Sequence, residues 1–275
     1  MRIAALDDAP VHELEFLDAA PGGGTQRRLL PFLCGEVEGL PPELDALIIT
    51  SDLQGRALQS PGAPVDAPLR LIGEAVAEEL SALSELGMIP SLARAGIVVA
   101  GDLFAAPDAA KMGATGDVRG VWRALRRCGA RWVAGVAGNH DLFGGDQGLA
   151  ALRAEEGIHL LDGDRAHLDG LRIAGVGGIT GNRRKPNRRP ADDFVAAVRH
   201  SLAGRPELVV LHEGPSGGER QRGNDRLREL LLGRRITVIC GHVHWQRPLA
   251  ELGAAQVLNS DGRVVVLRRA LRAHA

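Results

Sequence analysis

The chain has 275 residues, with 33 Lys and Arg against 34 Asp and Glu, so its formal net charge is −1. Hydrophobic residues make up 45% and charged residues 24%, a composition that supports a sizeable core and excludes a disordered chain. Because the net charge is close to zero, a chain-wide attraction to nucleic acids or anionic membranes is excluded, and only a local basic patch could supply one.

The three cysteines, Cys34, Cys128 and Cys240, lie far apart and match no zinc-binding or redox spacing. An odd number of scattered cysteines is typical of reduced thiols in a cytoplasmic protein. Asp7 and Asp8 stand where a signal peptide has its apolar run, and no stretch is apolar over the length of a membrane-spanning helix. We therefore expect a cytoplasmic protein with no membrane partner.

Short apolar runs, typical of buried strands, alternate along the chain with segments of helical periodicity. The predicted strands are Ala46–Thr50, Ile97–Ala100, Trp132–Val136, Leu171–Val176, Leu208–Leu211, Ile236–Cys240 and Val264–Leu267. The predicted helices are Leu69–Leu86, Val118–Arg127, Gly148–Glu155, Asp192–Leu202 and Asn224–Leu231. Two segments rich in turn residues, Pro61–Pro68 and Gly181–Pro190, are predicted loops. The alternation predicts an α/β sheet with helices on its faces.

Five of the predicted strands are followed by a short polar cluster with a glycine nearby. In chain order, the clusters hold Asp52 and Gln54; Asp102; Asn139, His140 and Asp141; His212; and His242 and His244. Ligands of open α/β sheets bind just beyond the carboxyl ends of the strands. We therefore expect all five clusters to meet at one edge of the sheet.

Seven of these side chains are candidate metal ligands: two Asp, one Asn, one Gln and three His. Carboxylate, amide oxygen and imidazole suit hard to intermediate divalent ions such as Mn²⁺, Fe²⁺ and Zn²⁺. Seven ligands exceed the needs of one octahedral ion but fit two ions that share a bridging carboxylate. Two ions about 3.5–4 Å apart bind one phosphate together and deprotonate a water for attack on it. The pattern predicts a hydrolase that cleaves phosphoesters.

The ordered motifs Asp-x-Gln, Gly-Asp, Gly-Asn-His-Asp, a single His and Gly-His-x-His resemble those of the calcineurin-like metallophosphoesterases. The resemblance extends from Asp52 to His244 and implies an α/β fold, a metallophosphoesterase-like β-sandwich flanked by α-helices. It implies one metal held by Asp52, Gln54 and His244, a bridging Asp102, and a second metal held by Asn139, His212 and His242. It also implies that His140 lies near the leaving oxygen as general acid, with Asp141 orienting its ring.

Gln54 departs from the family pattern, which usually has His at this position. Gln here resembles the manganese-dependent diphosphatases that cleave ADP-ribose and CDP-alcohols. Because an amide oxygen is a harder ligand than imidazole, we expect two divalent ions with Mn²⁺ favoured, and with Fe²⁺, Zn²⁺ or Mg²⁺ as alternatives.

The predicted Gly181–Pro190 loop is strongly basic and contains no acidic residue. Its cations are Arg183, Arg184, Lys185, Arg188 and Arg189. Guanidinium groups match phosphate oxygens, so these residues are candidate substrate-binding groups, with a solvated surface loop as the alternative. The loop contains no aromatic residue that could stack on a base, which weakens a nuclease hypothesis.

Since the motifs span most of the chain, we interpret residues 1–275 as a single domain, with residues 1–44 as an N-terminal extension of unknown role. The leading hypothesis is a phosphodiesterase or diphosphatase that acts on a nucleotide-like small molecule. The alternatives are a metal-dependent nuclease and a catalytically silent binding scaffold. The sequence does not predict the oligomeric state.

Overall fold

The computed structural model describes residues 1–59, 64 and 67–270, so most of the predicted loop Pro61–Pro68 lies outside the described residues. The strands of the N-terminal third are β1 (Arg2–Leu6), β2 (His12–Ala19), β3 (Thr25–Glu38), β4 (Ala46–Ser51), β5 (Arg56–Ala57) and β6 (Ala95–Val99). Helix α1 (Ile72–Glu85) connects β5 to β6.

The middle of the chain contains short strands around two helices. The strands are β7 (Gly116–Asp117), β8 (Trp132–Gly135), β9 (Asp141–Leu142), β10 (Ile158–Leu160), β11 (Arg165–Leu168), β12 (Leu171–Val176), β13 (Ile179–Thr180) and β14 (Arg188–Arg189). The helices are α2 (Arg119–Arg127) and α3 (Gly145–Arg153).

The last third completes the second sheet and returns to the first. Its helices are α4 (Ala191–Ala203) and α5 (Asp225–Leu231). Its strands are β15 (Leu208–Glu213), β16 (Thr237–Gly241), β17 (Leu249–Leu252), β18 (Ala255–Asn259) and β19 (Arg263–Arg269). Within the described ranges, no helix has both the length and the apolar character needed to cross a membrane.

Most of the strands form two large sheets, and β7 with β9 and β13 with β14 form two small ones. The first has the order β10-β8-β6-β4-β19-β3-β2-β5, with β1 also paired to β3. The second has the order β11-β12-β15-β16-β18-β17. Strands β4, β6, β8 and β10 run parallel in the first sheet, as do β12, β15, β16 and β18 in the second. The carboxyl ends of the parallel strands within each sheet therefore point the same way.

Alternate side chains of the central strands face two different cores, because successive residues of a strand point to opposite faces. In β4, Leu47 and Ile49 belong to the core between the two sheets, together with Leu208 and Ile239 of the second sheet. Ile48 belongs to the core that the first sheet forms with α1, α2 and α3. A third core joins the second sheet to α4 and α5. The layers run helix, sheet, sheet, helix, and the predicted sandwich flanked by helices is confirmed.

All seven predicted strands and all five predicted helices are present, with ends that differ by at most three residues. Helix α1 begins at Ile72 rather than at the predicted Leu69. Leu71 has extended backbone angles, φ −63° and ψ 140°, and Arg56 bridges to it as in a strand. Strand pairing before the helix therefore delays its first turn.

Residues 1–44, predicted as an N-terminal extension, supply β1, β2 and β3 to the first sheet. Strand β3 pairs with β19 in parallel and with β1 and β2 in antiparallel fashion. Phe32 and Val37 of β3 are fully buried. The segment is therefore part of the sandwich, although no sequence motif indicated it.

We predict that Phe32→Ala lowers the free energy of unfolding by about 3–5 kcal/mol, since it leaves a cavity in the core. Leu29→Ala on the same strand is the matched control, because Leu29 is 53% exposed, and its expected change is below about 1 kcal/mol. Urea unfolding followed by circular dichroism measures both. Equal, small losses in the two variants would show that β3 does not contribute to the folded core.

Candidate metal centre

The five polar clusters come together where the carboxyl edges of the two sheets meet. Asp52, Asp102 and Asn139 follow strands of the first sheet, whereas His212 and His242 lie at strand ends of the second. The backbone N–H of His242 donates to Asp52 Oδ2 over 3.0 Å, and His212 Nε2 lies 3.3 Å from Asp102 Oδ2. The contacts join the first sheet's clusters to those of the second.

Three side chains form the centre of the site. One ligand atom from each of Asp102, His212 and His242 lies within 4.8 Å of the others. Asn139 Oδ1 lies 3.2 Å from His212 Nε2, and Gln54 Nε2 lies 3.3 Å from Asp102 Oδ2. The structure thus brings five of the seven predicted ligands together around Asp102 and His212.

The surroundings of His212 favour a cation beside its Nε2 atom. Nδ1 lies 2.7 Å from the carbonyl oxygen of Ala100, so Nδ1 is the protonated nitrogen that donates to it. Nε2 faces two acceptor oxygens, Asp102 Oδ2 and Asn139 Oδ1, although its own neutral form carries a lone pair there. A histidine that binds a metal through one ring nitrogen usually donates a hydrogen bond from the other nitrogen, often to a backbone carbonyl.

The charges around His212 support the same conclusion. Burial alone lowers its pKa, but the carboxylates of Asp102 and Asp52 outweigh burial and raise the pKa to about 10. Burial also opposes ionisation of Asp102, yet the charge of His212 and the hydrogen bonds that the carboxylate accepts lower the pKa of Asp102. The pair therefore keeps a carboxylate oxygen of Asp102 next to a proton on His212. A divalent ion can replace that proton.

Three candidate ligands have strained backbone. Asp52, Asp102 and His242 have φ of 53°, 55° and 69°, in the left-handed region that residues other than glycine rarely occupy. Each such residue costs of order 1–3 kcal/mol, and strain of this kind concentrates at functional sites. The strain turns each side chain out of the strand direction and towards the common centre.

The glycines of two motifs allow the close approach of the chain segments. A Cβ atom on Gly138 would lie 2.0 Å from Asp102 Oδ1, and one on Gly241 would lie 2.1 Å from Asp52 Oδ2. Distances this short exclude any side chain. The Gly-Asn-His-Asp and Gly-His-x-His motifs thus require glycine because a carboxylate packs directly against the backbone.

The side chain of Asp141 accepts hydrogen bonds from the backbone. Its carboxylate accepts the backbone N–H groups of Asp102, Leu103 and Gly138 over 2.8–2.9 Å. It is 1% exposed, and burial together with the charge of Asp102 raises its pKa to about 6. These three contacts tie the Gly-Asp and Gly-Asn-His-Asp motifs together, and the orientation of the His140 ring by Asp141 stays a prediction.

The imidazole of His140 has another neighbour. Its Nδ1 lies 3.4 Å from Thr115 Oγ1, and its backbone N–H donates to Asp102 Oδ1 over 2.8 Å. The side-chain amide of Asn187 donates to the carbonyl oxygens of Gly138 and Asp141, which fixes the segment on both sides of His140. Thr115 and Asn187 had no distinguishing sequence signal, since single Thr and Asn residues in loops are common.

His244 lies at the edge of a cavity that Gln54 also lines. Nδ1 of His244 lies 3.2 Å from Asp261 Oδ2, and the His244 side chain is 63% exposed. A cavity of about 300 Å³ is lined by Asp52, Gln54, His244 and Asp261 together with residues of the β2–β3 hairpin; we call it the hairpin cavity. Asp261 was not predicted, although the Asn-Ser-Asp-Gly turn after a buried strand matches the pattern of the other clusters.

The basic loop contacts the site through Asn187, whose side-chain amide binds the segment of residues 138–141. Arg183 pairs with Asp193 and Arg189 with Asp162, so two of its five cations are in ion pairs. Burial and the charge of His212 lower the pKa of His242, Asp102 and Glu213 oppose this, and the charge of Arg188 adds to the lowering. Arg184 and Lys185 are exposed at a second cavity, of about 470 Å³.

Comparison with known families identifies the class of protein. Residues 47–246 match the family model of the calcineurin-like phosphoesterases, and the chain belongs to this family. Members hydrolyse phosphoesters with the help of divalent metal ions. The donor set of two carboxylates, two amides and three imidazoles fits such ions, and the buried acceptor oxygens around His212 Nε2 require either a proton or a cation among them.

A solved structure, TT1561 of Thermus thermophilus, has the same fold. It is 18% identical to the chain, with a TM-score of 0.54 over 78% of this chain and 88% of that one. AQ665 of Aquifex aeolicus, a protein of unknown function, also matches; it is 15% identical over 80% of this chain and 95% of that one, with a TM-score of 0.35. None of the curated proteins compared with the chain matches it.

Metal binding should stabilise the fold, because the site is assembled from both sheets. At a free Mn²⁺ concentration of 100 times Kd, the expected gain is about 2.7 kcal/mol, which corresponds to a rise in Tm of roughly 5–10 °C. Differential scanning calorimetry with and without a chelator measures it. Asp102→Asn should lose the gain, whereas Glu85→Gln at the exposed end of α1 should retain it. A chelator-insensitive Tm in the unsubstituted protein would contradict a site of this kind.

Proposed function

We propose that the site binds two divalent ions, one held by Asp52, Gln54 and His244 and the other by Asn139, His212 and His242. Asp102 would be a ligand of both. The observation that supports the proposal is the cluster of acceptor atoms around His212 Nε2, buried at the junction of the two sheets. The two ions supply charge that stabilises a phosphoryl group and acidifies a water.

The chain's own groups supply the rest of the chemistry. His140 holds a proton at the rim of the site and delivers it to the leaving oxygen. Thr115 Oγ1 sits 3.4 Å from its Nδ1 and orients the ring. Arg188 of the basic loop binds a nonbridging phosphate oxygen, while Arg184 and Lys185 extend the positive surface outward.

The preferred ion is Mn²⁺. Gln54 offers an amide oxygen where imidazole is the usual ligand, and a hard neutral oxygen favours Mn²⁺ over Zn²⁺. The substrate we propose is a phosphodiester or diphosphate of a nucleotide-like small molecule, since the cavity beside Gln54 and His244 has the volume of a small-ligand pocket.

We further propose that the whole chain acts as one unit in the cytoplasm. The sheet that holds Asp52 also contains the strands of residues 1–44. All three cysteines are free thiols, and Cys34 and Cys240 are buried, which suits a reducing compartment.

Asp102→Asn should abolish Mn²⁺-dependent hydrolysis of bis(p-nitrophenyl) phosphate, because the bridging position loses its charge. Absorbance of released p-nitrophenol measures the rate, and metal content of the purified variant reports on binding. Glu85→Gln serves again as the control. Turnover by Asp102→Asn within about twofold of the unsubstituted rate would refute the assignment of the metal centre.

His140→Gln should slow cleavage more for a basic leaving group, which must be protonated as it departs, than for a weakly basic one. We expect a loss of about 10²–10⁴ in kcat for an alkyl leaving group, and less than about tenfold for p-nitrophenolate, which departs unprotonated. His167→Gln, an exposed histidine of the edge strand β11, is the control. A uniform loss with both substrates would show that His140 positions the site and does not donate a proton.

A nuclease is the second candidate, favoured by the exposed cations Arg184 and Lys185. Backbone recognition predicts that log kcat/KM for a single-stranded oligonucleotide falls steeply with log salt, by about 0.7 per phosphate contacted. Arg184→Gln combined with Lys185→Gln should flatten that slope. A rate on oligonucleotides that does not change between 50 and 200 mM salt, roughly the range over which such contacts weaken, would exclude this candidate.

A further inference from the structure

The cavity of about 470 Å³ beside the basic loop is lined by other residues than the candidate metal ligands. Its walls come from the basic loop, from helix α3 and from the residues that follow strand β10; we call it the basic cavity. Among the described residues that line it, none is a candidate metal ligand, and His140 does not line it either. The basic cavity therefore offers a place for a molecule other than the one bound at the metal ions.

The lining of the basic cavity has an excess of positive charge. Asp162 is the carboxylate of the lining, and it pairs with Arg189, while Arg183 pairs with Asp193 outside the cavity. In the part of the chain that the structure describes, no acidic side chain pairs with the four remaining cations of the lining, which are Arg153, Arg184, Lys185 and Arg188. Several unpaired charges of one sign at one cleft attract a ligand of the opposite sign.

The remaining wall of the basic cavity is largely apolar. Phe143, Leu160 and Leu161 are buried, at 5–8% exposure, and Leu149 and Pro186 also line the cavity. A small-ligand pocket usually combines an apolar wall with a few charged or polar groups that orient the ligand, in a volume of about 300–1,000 Å³. The lining therefore suits an anion that carries an apolar organic group.

The number and type of the cations favour a phosphoryl group. A phosphomonoester carries a charge of about −1.5 to −2 at neutral pH and three acceptor oxygens, and guanidinium groups match these oxygens in pairs. The proposed function uses Arg188 for the substrate, which leaves Arg153 on α3 and Arg184 and Lys185 on the loop. All three are exposed, so each can turn to a ligand from its own side of the cavity. A carboxylate, with one charge and two oxygens, would leave cations of the cavity unpaired.

The basic loop also holds the segment that carries His140. The side-chain amide of Asn187 donates to the carbonyl oxygens of Gly138 and Asp141 over 2.8 and 2.7 Å, on the two sides of His140. Asn187 itself lines the basic cavity and has a left-handed backbone, with φ of 49°. Cations stand on both sides of it in the sequence. Because like charges repel, the loop conformation that Asn187 needs is opposed by its own neighbours.

We propose that the basic cavity is an effector site for a phosphomonoester with an apolar group, and that its occupation favours the loop conformation in which Asn187 holds the His140 segment. The bound anion neutralises the repulsion among the loop cations. An effector that favours one conformation raises the population of that conformation. The ligand site is independent of the proposed function, whereas its effect on catalysis rests on the role proposed for His140.

Binding is tested with phenylphosphonate, which joins a phosphoryl anion to an aromatic ring through a carbon–phosphorus bond and so has no ester to hydrolyse. Isothermal titration into the Mn²⁺-loaded protein should show two sites, since the metal ions also bind phosphonate. Arg153→Glu should raise the Kd of one site by about fivefold or more. Arg127→Glu is the matched control: Arg127 is exposed in the last turn of α2, as Arg153 is in α3, but does not line the cavity.

Two further ligands test the chemistry of the basic cavity. Inorganic phosphate lacks the apolar group and benzoate lacks the second charge, so each should bind there at least about fivefold more weakly than phenylphosphonate. Equal affinity for inorganic phosphate would overturn the apolar half of the assignment, and equal affinity for benzoate would overturn the phosphoryl half. A single phenylphosphonate site that Arg153→Glu leaves unchanged would overturn the effector site as a whole.

The link to His140 is tested by the ratio of kcat with phenylphosphonate to kcat without it, measured within each variant so that changes in the basal rate cancel. For a phosphodiester with an alkyl leaving group, the ratio should be at least about twofold in the unsubstituted protein and in Arg127→Glu. It should be close to one in Arg153→Glu, which loses the ligand, and in Asn187→Ala, which loses the link. Competition at the metal ions raises KM and does not raise kcat.

The outcomes separate the ligand site from the proposed function. For bis(p-nitrophenyl) phosphate, whose leaving group departs unprotonated, the ratio should stay close to one. Arg153-dependent binding with a ratio of one for both substrates would overturn the link to His140. Arg153-dependent binding by a protein that hydrolyses neither substrate would support the ligand site and overturn the proposed function.

Discussion

The convergence of acceptor atoms between the two sheets is the constraint on which the rest of the structure depends. Asp102 and Asn139 each place an oxygen within 3.3 Å of His212 Nε2, in a region where all three side chains are buried. Buried polar atoms without compensation are costly, so the protein must place a cation or a proton among them. The left-handed backbone of three candidate ligands and the close packing at Gly138 and Gly241 are consequences of bringing these atoms together.

The two-sheet sandwich provides the rigidity that this convergence needs. Each central strand is buried on both faces, one against the partner sheet and the other against helices. A shift in the register of such a strand would move its apolar side chains out of the core positions that they fill. Because the register is fixed, the polar side chains just beyond the strand ends have fixed positions as well. Asp141 then ties the segments together by accepting three backbone N–H groups of the Gly-Asp and Gly-Asn-His-Asp motifs.

The candidate substrate contacts are divided between two cavities, of which the hairpin cavity contains candidate metal ligands in its lining. The basic loop borders the larger cavity, but ion pairs with Asp193 and Asp162 engage two of its cations. The hairpin cavity borders Gln54 and His244 and has a smaller, mixed lining. A run of like charges in a sequence therefore overstates the charge available to a ligand, because the folded chain supplies acids from distant elements to neutralise part of it.

The sequence by itself determined the alternation of strands and helices and the order of the ligand-bearing motifs. Both depend on local information: apolar periodicity for the elements, and short motifs with glycine for the strand ends. Only the tertiary structure decided that residues 1–44 complete the first sheet and wall a cavity, that Asp141 binds the backbone of two motifs, and that Asp261 pairs with His244. The physical reason is that these contacts join residues far apart along the chain or depend on the direction of one side chain. A local sequence pattern contains information on neither.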